Sequence, residues 1–361
     1  MSVTSLSGAF GFAPQSAKST AGTTFYWYKA YNIDYGVVID ERPLPQEIGD
    51  SLVPTGAFRA SAYSAGGLDF TPRLEDDFGW LLAWVMGEDG VASEVVPGSS
   101  NPQAHTWTLD GTENALSWGT VHVMIPEAAD KLGIISIDNK VSMLRITVPQ
   151  TGLVTARMDL AGRLFDEVTD NIFVNDAEDV GGAGWTPAFE DFDSTPVAAK
   201  TTFKIDSVSS GNALEMTGVT MDFVNGLTTP QQEMTVGSYS PDDFTAVSRN
   251  VTVRGTYKWP SDAFFRQIVG GSAGATTFSD EVFKGSAEIQ MKAPKEITGA
   301  YEYSLTLDFP NVVFQMTNPR LAGANIITTD IIGTAVATAG SNFMTAVLQN
   351  GSTAGPYTWP T

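Results

Sequence analysis

Leu144-Arg145-Ile146-Thr147-Val148-Pro149, closing at Leu160-Ala161-Gly162, returns further along the chain as Leu305-Thr306-Leu307-Asp308-Phe309-Pro310, closing at Leu321-Ala322-Gly323. The stretches stand 161 residues apart throughout. Five of nineteen positions are identical: Leu144/Leu305, Pro149/Pro310, Leu160/Leu321, Ala161/Ala322 and Gly162/Gly323. In each copy apolar and polar residues alternate, the period of a strand with one buried and one wet face. A chain that repeats such a pattern usually builds something symmetric.

The same alternation runs outward on both sides. Val121-His122-Val123 and Val154–Leu160 show it in the first half. Val219–Phe223, Val251–Tyr257, Ala287–Lys292 and Tyr301–Phe309 show it in the second. These read as antiparallel strands. His122 falls on the wet side of its strand. Only two segments read as helix. In Pro72–Gly87, Leu74, Phe78, Leu81, Leu82 and Val85 share a side, acids occupy the first turn, and Gly87 suits a C-cap. In Pro260–Gly270, Ser261 is placed to cap, Phe264, Phe265, Ile268 and Val269 are apolar, and Gly270 closes.

The order is alike in the two halves. A strand leads to a Pro-initiated helix ending in Gly, then to a Gly-led strand (Gly119–Pro126; Gly285–Pro294), then to the repeated pattern. The expected fold class is mainly β: two tandem β-sandwich or partial-barrel modules, each with one flanking helix. Residues 1–24 read as an N-terminal arm anchored by Phe10 and Phe12. Residues 25–165 form module 1, 166–200 an acidic linker, and 201–361 module 2, whose Ile331–Thr338 and Phe343–Gln349 suggest a closing hairpin. That neutral C-terminal stretch would expose a sticky edge unless a neighbouring subunit covered it.

Composition narrows the function. The 361 residues carry 41 acids against 20 bases, a formal charge of −21. This argues against wrapping nucleic acid or lying on an anionic membrane. Nine acids and no base fall in 166–193. There is no cysteine, so thiol chemistry and disulfides are excluded, and with only His105 and His122 a histidine metal cluster or triad is not expected. No apolar run reaches transmembrane length, and Met1–Gly22 lacks the layout of a signal peptide.

The remaining candidates for chemistry read as structure. Asp76/Asp77, Asp242/Asp243 and Glu190-Asp191-Phe192-Asp193 are acid groupings of the kind found at helix starts and solvated loops, and sequence gives no cleft separation for a glycosidase pair. Asp176, Glu178 and Asp179 before Gly181-Gly182 lack the acid spacing and terminal Glu of a calcium loop. Trp27, between Tyr26 and Tyr28, reads as packing rather than a sugar platform. No catalytic, cofactor-binding or metal residue is assigned, no cofactor is expected, and the chain reads as a non-enzyme.

The pattern resembles the tail tube proteins of long-tailed (siphovirus-type) phages. Gly11-Phe12-Ala13-Pro14-Gln15 with Lys18-Ser19-Thr20 is similar to that family's Gly-x-Gly-x-Gln…Gly-Thr opening, Ala13 and Ser19 departing from it. Gly56–Gly87 is similar to its first helix region, Asn139–Gly162 to its mid-chain hairpin, and Phe203–Leu227 to the start of its second half. The resemblance implies a structural virion protein, made in the host cytoplasm, whose rings join strands into one inter-subunit β-barrel. It implies that rings stack into a tube that passes double-stranded DNA at ejection without binding it specifically. The implied partners are the chain itself, the tape measure protein, and the tail terminator and distal tail proteins, with no membrane. Most family members carry one module and form six-membered rings, so two modules per chain predict three subunits per ring rather than six. The rival reading is a two-domain β-sandwich adhesin or surface-layer binding module, and a β-rich glycan hydrolase comes third.

Overall fold

The computed structural model describes residues 8–45, 53, 56–97, 101–109, 116–126, 131–163, 173–174, 189–205, 214–259, 262–319, 327–338, 342–352 and 357–359. Most of the acidic linker, including Asp176, Glu178 and Asp179, lies outside them, as do Met1–Ser7, Ser261 and Leu321-Ala322-Gly323.

The fold is mainly β. Among the described residues, 18 strands join in one antiparallel sheet that does not close into a barrel. In the first half these are β1 (Ala9–Pro14), β2 (Tyr26–Tyr28), β3 (Ala30–Ile33), β4 (Gly36–Pro43), β5 (Ala57–Phe70), β6 (Val91–Glu94), β7 (Gln103–Leu109), β8 (Gly119–Pro126), β9 (Lys131–Val148), β10 (Thr155–Arg163) and β11 (Phe173–Val174). In the second they are β12 (Thr202–Ile205), β13 (Met216–Leu227), β14 (Ala246–Lys258), β15 (Lys284–Thr298), β16 (Tyr301–Met316), β17 (Thr328–Ala335) and β18 (Met344–Asn350). Helix α1 (Asp76–Met86) follows β5, and α2 (Ala263–Gly270) follows β14.

Six strand pairings of the first half recur in the second, in the same order. β1–β8, β4–β5, β5–β10, β8–β9, β9–β10 and β9–β11 are matched by β12–β15, β13–β14, β14–β17, β15–β16, β16–β17 and β16–β18. Registers agree as well. Phe10 faces Val123, which faces Ile134; Phe203 faces Ile289, which faces Leu307. A β-bulge also recurs. The ladder slips after Gly119↔Asn139 to resume at Val121↔Ser136, and after Gly285↔Val312 to resume at Ala287↔Phe309.

This pairing scheme corrects the 161-residue echo. Asn139 corresponds to Val312, yet Asn139 precedes Leu144 while Val312 follows Leu305, so the echo is out of step with the strands. Pro149 lies just past the end of β9, whereas β16 runs through Pro310 to Met316. Pro310 is tolerated there because it sits in the bulge, where two residues oppose one and a ladder N–H is not required. In the first half the bulge holds Asp138 at φ 55°, fixed by the Gln15 amide, which donates to its Oδ1 at 2.9 Å, and by its own N–H donating to Gln15 Oε1 at 2.8 Å.

Three other expectations change. Ala9–Pro14 is no arm: β1 pairs with β8 on one side and β2 on the other, and Phe10 and Phe12 are wholly buried. The expected closing hairpin is not formed by β17 and β18. Both lie along β16, β17 against Val312–Met316 and β18 against Ser304–Asp308. The neutral C-terminal stretch is covered from within the chain, because β7 of the first half pairs with the far side of β18. The helices hold with small shifts. Gly87 caps α1 in the left-handed region at φ 66°, and Gly271 rather than Gly270 does so for α2 at φ 80°. The β6–β7 hairpin sits between α1 and β8, while no strand falls between α2 and β15 among the described residues. That insertion explains why the helix ends and the Gly-led strands of the two halves are offset differently.

Candidate functional site

The two halves meet edge to edge. Met143–Val148 of β9 pair with Val219–Val224 of β13, from Val148↔Val219 to Met143↔Val224. Alternation then sets the chemistry of each face. Leu144, Ile146 and Val148 meet Phe223, Met221 and Val219 on the apolar face, all buried in the common core. On the other face Arg145 Nε lies 2.5 Å from Asp222 Oδ1, across the seam, and Thr147 faces Thr220.

That polar face continues over six strands. Asp69, Arg157, Arg145, Asp222, Thr252 and Thr334 stand in one row, each facing the next. Arg157 and Arg145 are like charges side by side, a destabilising neighbour pair in isolation. Acids offset it: Arg157 reaches Asp34 at 2.9 Å, Asp69 at 3.1 Å and Asp159 at 2.8 Å. Its hydrogen bond holds the Asp34 carboxyl below the usual range. Lys258 pairs with Glu215 at 4.0 Å, while Arg254 faces Thr220 and Ile332. The bases on this face are thus mostly matched by acids, giving a wet, charge-paired surface suited to lining an aqueous passage.

A clasp sits at the start of α1, where the linker's end returns. Glu190 Oε1 accepts from the Asp77 N–H at 2.5 Å, and Arg73 Nη1 donates to the Glu190 carbonyl at 2.8 Å. Lys295 of the second half lies 2.7 Å from Glu75 and 2.6 Å from Asp191. Burial, and then the nearby Asp77 charge, push the Glu190 carboxyl well above the ordinary range. The folded state therefore favours protonated Glu190. That contribution is complete below the unfolded value of about 4.3 and is lost as pH rises toward the raised folded value. Stability should fall from pH 5 to pH 9, and Glu190→Gln should flatten the fall. Urea midpoints of both proteins at pH 5, 7 and 9 check this, and a parallel decline in the two would contradict it.

Among the described residues, Asp76, Asp242, Asp243 and both histidines sit in pairing or packing contacts. Asp76 Oδ1 accepts from the Tyr357 hydroxyl at 2.9 Å and from Ser352 Oγ at 2.8 Å, tying α1 to the C-terminal segment. Asp243 pairs with Lys140 at 3.0 Å, and Asp242 with Lys18 at 2.9 Å. His122 is not on a wet face. The rings of Phe25 and Trp27, each 5.6 Å away, cover that side of β8, and burial lowers the imidazole pKa to about 3. His105 is buried against Tyr357, ring centres 4.4 Å apart. Tyr26 stacks on Trp80 at 5.0 Å, and Trp27 lies over Gly11, so the aromatic run packs. Among the described residues no group of three or more His, Cys, Asp or Glu is arranged to hold a metal ion.

The sequence left two features of the site unseen. The Arg145–Asp222 seam joins residues 77 apart in sequence, and only the facing polar positions of two strands hinted at it. The docking of Tyr357 and Trp359 into the first half had one signal, Gly79 inside an apolar helix: a Cβ there would collide with the Tyr357 ring. A family model described as phage tail tube protein matches residues 42–310. No curated protein matches the chain.

Proposed function

The chain belongs to the phage tail tube protein family, and from that premise we propose that it assembles with copies of itself into rings that stack to form the tail tube. Its role is structural and not catalytic. The observation that carries this reading is the β9–β13 seam, in which one sheet crosses between the halves with its apolar face buried and its polar face wet. Six recurring pairings and a recurring bulge support two copies of one unit in the chain. Three subunits then supply six units to a ring, and the charge-paired face lines the bore through which DNA slides. The overall charge of −21 favours passage over sticking. The tape measure protein would occupy the bore before ejection, with terminator and distal tail proteins at the tube ends. Synthesis takes place in the host cytoplasm.

Electron microscopy of purified protein tests the reading. Rings or tubes with threefold chain symmetry are expected. Monodisperse monomers at high concentration would overturn assembly, and six chains per ring would overturn the two-unit arrangement.

A further inference from the structure

The recurring registers locate the next joint. In the first half a row runs Gly36↔Ala65, Ala65↔Ala161, Ala161↔Lys140 across β4, β5, β10 and β9. In the second it runs Asp222↔Thr252, Thr252↔Thr334, Thr334↔Val313 across β13, β14, β17 and β16. Lys140 directly follows Asn139, and Val313 directly follows Val312, the bulge positions already matched. Gly36 therefore takes the place of Asp222, and β4 the place of β13. Inside the chain the edge of β13 is covered by β9, with Asp222 on Arg145. The equivalent edge of β4 carries no strand among the described residues, and Val38 and Ile39 on it are 37% and 47% exposed.

The complementary edge is at the end of β16. Its ladder with β15 stops at Lys284↔Val313, so Phe314 onward has no strand partner on that side among the described residues. The other side is filled: β17 pairs through Met316, and the Thr317 N–H donates to the Asp330 carbonyl at 3.0 Å. Arg145 shares the row of Arg157, although β9 slips by one residue against β10 between Leu160↔Val141 and Asp159↔Met143; the β16–β17 ladder has no such slip, so Thr317, beside Asp330, takes the place of Arg145.

Resting on the tube reading, we propose that β4 of one subunit pairs antiparallel with the end of β16 of a second copy, in the register Gly36↔Thr317, Val37↔Met316, Val38↔Gln315. The occupant of each edge is thus another copy of this chain, and the joint repeats the β9–β13 seam. Edge pairing of this kind removes the unpaired N–H and C=O groups that an open strand exposes. The new joint differs from the seam in one respect: Arg145–Asp222 is replaced by Thr317–Gly36, which form no ion pair. The joint between chains should therefore respond less to salt than a charged seam would.

The absence of native cysteine gives a clean test. Val38→Cys and Gln315→Cys are combined in one chain, assembled, and treated with a short bismaleimide. Covalent species ending at three chains are expected, since opposed side chains in such a ladder stand about 5 Å apart. Pairing Val38→Cys with Thr220→Cys, three strands beyond β16 across the same face, should give none. If Val38→Cys alone stops assembly, Gly36→Cys with Thr317→Cys takes its place. Intact tubes that fail to cross-link, or that cross-link equally in the control, overturn the joint. Loss of rings and tubes in the unmodified protein overturns the reading beneath it.

Discussion

Deletion of residues 1–22 is expected to leave no stable fold, whereas deletion of residues 1–7 should leave it intact. The longer deletion removes β1 from between β2 and β8. It also removes Phe12, whose ring lies 5.4 Å from Trp84, 5.8 Å from Tyr28 and 6.0 Å from Trp359. Phe10 and Phe12 are wholly buried, and truncating one such side chain costs about 3–5 kcal/mol. Two together rival the roughly 5–15 kcal/mol that holds a domain folded. Gln15 and Ser19 go with them, removing the amide and the N–H that donate to Asp138 in a wholly buried bulge and leaving it Arg163 at 3.5 Å. Soluble yield and a cooperative thermal melt by circular dichroism check the result. A cooperative melt after the longer deletion would mean that this strand is a dispensable arm.

Ala9–Pro14 reads as an arm because it lacks alternation, and it lacks alternation because both of its faces are buried, one by the core and one by Trp27 over Gly11. His122 misleads for the same reason, since β8 beside it is covered on its second face as well. Period-two patterning reports strands with one wet face, and those were legible: β9, β10, β13, β14, β15 and β16 all follow their alternation. The helices were legible from their acidic first turn or apolar stripe and their glycine ends. Pairing partners were not. Nothing local in Ile331–Thr338 or Phe343–Gln349 distinguishes a hairpin from two strands laid end to end on β16, because both arrangements bury the same alternate residues. The echo that suggested repetition was displaced from the structural correspondence for a related reason. Alternating Leu, Ile and Val satisfy any even shift along a strand, and register is fixed only by features such as the bulge at Gly119 and Gly285. The candidate site was legible as a polar strand face carrying Arg145 and Arg157, but their acidic partners come mainly from other strands and only the fold brings them together.

Replacing Trp359 by alanine should lower the unfolding free energy by about 3–5 kcal/mol, although only two residues follow it in the sequence. The side chain is 2% exposed and stacks on Trp84, ring centres 5.2 Å apart and planes 6° from parallel. Its Nε1 donates to the Trp118 carbonyl at 2.9 Å. Beside it Tyr357 stacks on Trp107 at 5.8 Å, and the Gly90 N–H donates to the Tyr357 carbonyl at 3.0 Å. The tail thus fastens the end of the second half into the core of the first. It also links the β18–β7 pairing to α1, through the Asn350 amide, which donates to the Tyr357 hydroxyl at 2.7 Å, and through that hydroxyl's bond to Asp76. Trp359→Phe should keep most of the packing and lose the indole bond, at about 1–3 kcal/mol for the carbonyl left unsatisfied. Urea unfolding at unchanged slope measures both, with near-ultraviolet dichroism following the Trp84–Trp359 stack. A loss below about 1 kcal/mol for the alanine variant would show that the tail is not docked, since emptying so buried a site leaves a cavity that belongs to the strongly destabilising class. The tail, the β18–β7 ladder, the β9–β13 seam and the Lys295–Glu75 clasp hold the two halves at separate places, so a subunit should enter a ring with its two units already fixed relative to each other, leaving only the joint between chains to form.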